Sequence, residues 1–192
     1  MEEIFSSHTT PVINRHTKAC VKVGEIESVV GFKMLIHYRL PCSYDFYRRV
    51  NGDYSAVCTL NPIITANRIE ETLQPNLTLN HLSFKKFMLL EPRFFRYVKY
   101  NNSSDKQHWE VTASVRARPE CEPSAKECEL TTITCLEEQG SSGLGVHSYL
   151  WVDAKSNIKA RKVVERVYQE VANYIDNLYD YARRNYRPEE EA

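Results

Sequence analysis

Near residue 153 the hydrophobic pattern of this chain changes period, and that change constrains the fold more than any other feature. Ahead of it, apolar and polar residues alternate. Beyond it, Ala160, Val164, Val167, Val171, Tyr174, Leu178 and Tyr181 step by four and three in turn. Alternation marks half-buried β-strands, and the longer period marks one face of an amphipathic helix. The spacing predicts a helix of about 30 residues beginning after Asp153 and stopping before Pro188.

The alternating part divides at its prolines, glycines and polar clusters. "EIFSSHTT" and "KACVKVGEI" read as short strands, and in "GFKMLIHYRL" the residues Phe32, Met34, Ile36, Tyr38 and Leu40 share one face. Ser43 is placed to cap a short helix in "CSYDFYRRVNGD". "YSAVCTLNP" and "IITANRIEETL" are expected as strand pieces broken at Pro62, and "NLTLNHLSFKKFMLLE" continues the pattern. "RFFRYVKY" is rich in β-formers, with "NNSSDKQ" expected as a polar turn. "HWEVTASVRAR" alternates most cleanly, setting Trp109, Val111, Ala113, Val115 and Ala117 opposite Glu110, Thr112, Ser114, Arg116 and Arg118. "ECELTTITCLEE" and "VHSYLWV" are two further strands joined by the glycine-rich turn "QGSSGLG".

Many strands followed by one long amphipathic helix bury their apolar faces most simply when the sheet wraps around the helix. The expected fold is therefore α+β, an antiparallel β-sheet around a long C-terminal helix, as in the helix-grip or START-like arrangement. Residues 1–186 form one such domain and 187–192 an acidic tail. Fold of this kind says little by itself about function.

Composition excludes several classes. The chain has 192 residues, 42% apolar and 26% charged, the proportions of a soluble globular domain. Its formal net charge is zero, which argues against nucleic-acid binding through bulk charge. No apolar run approaches the roughly 20 residues of a membrane span, and "MEEIFSSHTTPV" lacks the charge pattern of a secretory leader. An intracellular soluble protein is expected. Its six cysteines, Cys20, Cys42, Cys58, Cys121, Cys128 and Cys135, are then expected to be free thiols, and their spacings match no zinc motif. His8, His16, His37, His81, His108 and His147 are scattered. There is no G-x-S-x-G turn and no Walker A loop, so neither catalytic residues, metal nor cofactor is expected.

The predicted helix opens on cations. Lys159, Arg161, Lys162 and Arg166 stand where the helix dipole favours acids. They can be a solvated face partnered by Glu165 and Glu170, or they can ring the mouth of a cavity and receive an anionic headgroup. Arg39 is a candidate to join them. The apolar stripe itself can cover the sheet or form a coiled-coil seam. The two function classes that follow are a lipid carrier and a protein–protein interaction module working through the helix or an edge strand.

Three segments carry a family resemblance: "EIFSSHTT", "NLTLNHLSFKKFMLLEPRFFRY" and "SNIKARKVVERVYQEVANYI", about 50 of the 192 residues. They resemble the first strand, the central strand pair and the start of the C-terminal helix in the PRELI-like lipid transfer proteins of the mitochondrial intermembrane space. That family has a helix and a Pro-containing bend after its first strand, where only "PVINRHTK" separates the two strands here, and "ECELTTITCLEE" has no clear counterpart in it. The resemblance implies non-enzymatic transfer of an acidic phospholipid between membranes, in the cytoplasm or the intermembrane space. It implies that Lys159, Arg161 or Lys162 holds the phosphate and that Val164, Val167 and Val171 line the acyl chains. It further implies a membrane surface and a small protein partner.

Overall fold

The structure is a computed structural model that describes residues 20–25, 31–86, 91–116, 124–140, 143–153 and 161–188; for 20–25, 31–33, 161–166 and 168 it describes the backbone. Among the described residues nine strands and three helices follow in order: β1 (Cys20–Glu25), β2 (Gly31–Leu40), α1 (Tyr44–Gly52), α2 (Tyr54–Leu60), β3 (Ile64–Gln74), β4 (Leu77–Phe84), β5 (Arg93–Ser104), β6 (Gln107–Ser114), β7 (Lys126–Glu127), β8 (Glu129–Glu138), β9 (Leu144–Asp153) and α3 (Arg161–Asn185). The sheet runs β1-β2-β9-β8-β6-β5-β4-β3, with the short β7 paired in parallel to β5 and every other pair antiparallel.

Local chemistry explains most boundaries. The Oγ of Ser43 accepts from the backbone N–H of Phe46 at 3.1 Å and starts α1, as its position predicts. Asp53 closes α1 and opens α2, where its Oδ1 accepts from the N–H groups of Ser55 and Ala56. "YSAVCTL" is thus a helix, against the strand expected for it. Its β-prone letters are overridden by an N-cap that satisfies two orphan donors. Strands β5 and β6 extend further into "NNSS" than propensity suggests, because Asn101, Asn102 and Ser103 pair with Glu110, Trp109 and His108 around the turn at Asp105 and Lys106. The described part of α3 runs from Arg161, Asp153 ends β9, and Lys159 lies outside the described residues, as does "EIFSSHTT".

Among the described residues apolar packing falls into three clusters. Leu40, Phe46, Leu136, Leu144, Val146, Leu178 and Ala182 form the largest, where the C-terminal half of α3 meets α1 and the ends of β2, β8 and β9. Met34, Ile36 and Ile175 form the second, with Val167 and Val171 packed against it. Phe95, Tyr97, Cys128 and Val152 form the third, with Leu130 and Leu150 beside them. Polar bonds fix the middle of the helix: the hydroxyl of Tyr174 donates to Asn51 Oδ1 at 2.6 Å, and Asn177 Nδ2 donates to the Leu60 carbonyl at 3.0 Å. No described helix is long and apolar enough to cross a membrane.

Candidate functional site between the sheet and the C-terminal helix

The face of the sheet turned toward α3 is fixed by Met34 and Ile36, which pack on Ile175. Following that face across the strands through the register gives one row of Ile36, Ser148, Thr134, Glu110 and Asn101, and a neighbouring row of Met34, Leu150, Thr132, Thr112 and Lys99. Both rows begin apolar beneath the helix and become polar toward β5. The most regular alternation in the sequence is therefore turned polar side in: His108, Glu110 and Thr112 of β6 are buried, while Trp109 and Val111 are 41% and 36% exposed on the opposite face.

The helix does not lie over those polar strands; it packs on β2, α1, α2 and the ends of β8 and β9. The strand β6 stands three strand spacings from β2, about 14 Å along the sheet, whereas a helix is about 10 Å wide. Several side chains of the inward face, Lys99, Thr132, Ser148 and Leu150, are half-buried, as are Tyr38, Tyr174, Val167 and Val171 facing them.

Electrostatically the centre of this face is Glu110. Lys99 Nζ stands 2.9 Å from its Oε2. Five phenols face it: Tyr38, Tyr44, Tyr47, Tyr97 and Tyr174 all have raised pKa values, through burial first and with the charge of Glu110 among the further causes. Tyr97 is pushed up to about 12. The hydroxyls of Tyr38 and Tyr47 hydrogen-bond to each other. All five therefore remain protonated donors at neutral pH. Around them Thr112 and Thr132 share a hydroxyl bond of 2.7 Å, and Thr134 and Ser148 one of 2.8 Å. Among the described residues three buried polar atoms here have no hydrogen-bond partner: both ring nitrogens of His108, which stacks on Tyr44 at 3.5 Å and whose Nε2 stands 3.9 Å from Glu138 Oε1, and Asn101 Oδ1.

The residues singled out in the sequence are only partly gathered. Val167 and Val171 line the helix side of this face. Arg161, Lys162 and Val164 lie in the first turns of α3, which contain no acid in the first turn; their side chains and Lys159 lie outside the described residues. Arg39 is exposed and has the strand parity of His37, so it stands on the outer face at the end of β2 remote from the start of α3. Sequence reading missed Lys99, Glu110 and the tyrosines. The signal for them was present: Glu110, Thr112 and Ser114 repeat at period two, but periodicity cannot say which side of a strand faces in.

A groove of about 540 Å³ lies at the far end of α3, lined by Cys42, Ser43, Glu138, Gly143 and Tyr186 among others, away from the helix start.

No family model and no curated protein sequence matches the chain. Solved structures do. Human StAR-related lipid transfer protein 5 superposes with a TM-score of 0.77 at 12% identity, over 93% of this chain and 88% of that one. Human STARD10 gives 0.75 at 15% identity, over 99% and 79%. A STAR-related lipid transfer protein fragment from Xanthomonas axonopodis gives 0.71 at 13%, over 91% and 98%. At such identities the likeness is one of architecture, and it agrees with the strand order, the antiparallel pairing and the terminal helix: this chain has the START-like helix-grip fold.

Proposed function

We propose that the chain binds and transfers a lipid without chemical reaction, holding it between the inward face of the sheet and α3. The observation that carries this reading is the polar side of β6 turned inward, on the face that carries α3 but to one side of the helix. A filled core would place apolar side chains there, because burying polar groups without partners costs roughly 1–3 kcal/mol each. An amphiphile satisfies both surfaces. Tyr38 and Tyr174 support it further: burial dominates their raised pKa values, yet each keeps accessible surface, as the walls of a hollow would. The START-like architecture of proteins named for lipid transfer points the same way.

Two orientations of the lipid follow from two observations. The pair Lys99–Glu110 offers a donor and an acceptor with no net charge, which suits a neutral or hydroxyl-bearing polar end placed deep against β5 and β6, with the apolar part along Val167, Val171 and Leu150. An acidic phospholipid would instead keep its phosphate at the mouth, on Lys159, Arg161 and Lys162, with its chains along Val164, Val167 and Val171. The absence of an acid from the first turn of α3 favours that placement. We take the deep polar end as the stronger, since its groups stand together in the structure. A carrier of either kind works at a membrane surface, in the cytoplasm or the intermembrane space, and a protein partner can direct it there.

Native mass spectrometry of the purified chain after incubation with mixed liposomes tests the proposal. One lipid per chain, identified after extraction, is the expected result. Loss of the adduct in Lys99→Met with Glu110→Gln, but not in Arg161→Glu with Lys162→Glu, places the polar end deep; the converse places a phosphate at the helix start. A lipid-free mass under all conditions overturns the carrier and leaves an interaction module.

A further inference from the structure

The pairing of β1, β2, β9 and β8 aligns, in one cross-strand row, four residues that sequence spacing keeps apart: Cys20, His37, His147 and Cys135. Residues in such a row stand about 5 Å apart on one face. This is the face opposite α3, so the row is independent of the lipid site. His37 and His147 are already in contact, with Nδ1 to Nδ1 at 2.7 Å and the rings edge-on at 69°. Cys135, the register neighbour of His147, is a free thiol whose Sγ lies 4.0 Å from Glu137 Oε1.

From this arrangement we propose a binding site for a borderline-soft divalent transition-metal ion, Zn²⁺ being the type case, with His37 and His147 as primary ligands and Cys135 as the third. Imidazole and thiolate are the donors such ions select. Two nitrogens bound tetrahedrally at about 2.05 Å stand roughly 3.3 Å apart, so the imidazoles need to part by only about 0.6 Å. Among the described residues no three donors yet converge on one point. Turning the Cys135 side chain from Glu137 toward His147 supplies the third, and water completes the shell. Metal binding releases the thiol proton. The scattered positions 37, 135 and 147 hide this set from any motif based on short spacing.

Cobalt(II) titration of the full chain, freed of metal by a chelator and reduced, tests the site. One equivalent of Co²⁺ should give the intense visible bands of a tetrahedral ion together with a thiolate charge-transfer band in the near ultraviolet, all displaced by Zn²⁺. His147→Ala and His37→Ala should each weaken binding at least 100-fold. Cys135→Ser should abolish the charge-transfer band and weaken binding by more than the roughly tenfold that loss of an outer-shell partner costs. Circular dichroism checks that each variant is folded; His147 is exposed and His37 half-buried on the outer face, outside the apolar clusters, so folding should survive. No saturable binding up to about 100 equivalents, or binding unchanged in both histidine variants, overturns the site; an unchanged spectrum in Cys135→Ser overturns the third ligand.

Discussion

Lys99 and Glu110 meet at 2.9 Å as diagonal neighbours on adjacent strands, with side-chain exposures of 26% and 12%. A pair this sheltered loses much hydration, so its value lies less in net stability than in what happens when one member is removed. Breaking a fully buried pair costs roughly 3–5 kcal/mol; the access of water to Lys99 reduces that. Lys99→Met should therefore cost about 2 kcal/mol in urea unfolding, since it strands the carboxylate among raised phenols. Glu110→Gln should cost about half as much, and the double variant less than the sum. Strict additivity in this cycle would show that the two charges do not act on each other.

Gly143 tests how tightly the β8–β9 hairpin is seated. Its φ is +92°, and a Cβ placed on it would stand 2.1 Å from the carbonyl oxygen of Leu40. Gly140, on the same hairpin, has φ +59° and open space around it. Gly140→Ala should thus cost only the left-handed conformation, roughly 1–2 kcal/mol. Gly143→Ala adds a backbone collision that must push β2 from the hairpin, and it should cost about 2 kcal/mol more. Equal thermal midpoints for the two variants would contradict this.

These two glycines also show what the sequence could and could not reveal. "QGSSGLG" announces a turn, but nothing local says that one of its glycines touches Leu40, about a hundred residues away. The same holds for the site. Alternation identifies "HWEVTASVRAR" as a strand, and burial then decides the face; a hydrophobic rule assigns Trp109 and Val111 to the interior, where the fold places Glu110 and Thr112. The long helix and its period were legible because they depend on neighbours three and four residues apart. Lys99 beside Glu110, and His37 beside His147, depend on pairing between strands, which a single sequence does not print. "YSAVCTL" is of a third kind: its own letters are β-prone, and the Asp53 cap that makes it a helix sits one residue ahead of it.

The buried phenols predict the alkaline behaviour. Tyr38, Tyr47, Tyr97 and Tyr174 have folded pKa values above the ordinary 10.0, chiefly through burial. Above pH 10 the unfolded chain sheds these protons while the folded one retains them, so stability is full below pH 10 and falls as pH rises beyond it. Tyr97 alone, at about 12, corresponds to roughly 3 kcal/mol lost on reaching its folded value. Absorbance at 295 nm should show these tyrosines ionising together with the loss of far-ultraviolet dichroism. Tyr38→Phe should move the alkaline midpoint upward. Reversible ionisation of all tyrosines near pH 10 in the folded chain would refute the burial.

The two faces of the sheet should respond oppositely to the same kind of substitution. On the outer face Ile133 is 43% exposed and pairs with Val111, itself 36% exposed, so Ile133→Thr and Val111→Thr should each change stability by less than about 1 kcal/mol. On the inner face Leu136, wholly buried beneath α3, should lose roughly 2–5 kcal/mol as Leu136→Ala. Thr112→Val separates polarity from size. It keeps shape and adds apolar character, yet Thr112 Oγ1 accepts from the N–H of Thr132 at 3.1 Å and bonds its hydroxyl at 2.7 Å. Losing that acceptor should cost about 1–2 kcal/mol and should reduce lipid occupancy if the polar row receives the ligand. Were Thr112→Val instead stabilising, with lipid occupancy unchanged, the inward polar row would be dispensable, and the deep placement of the polar end would fall with it.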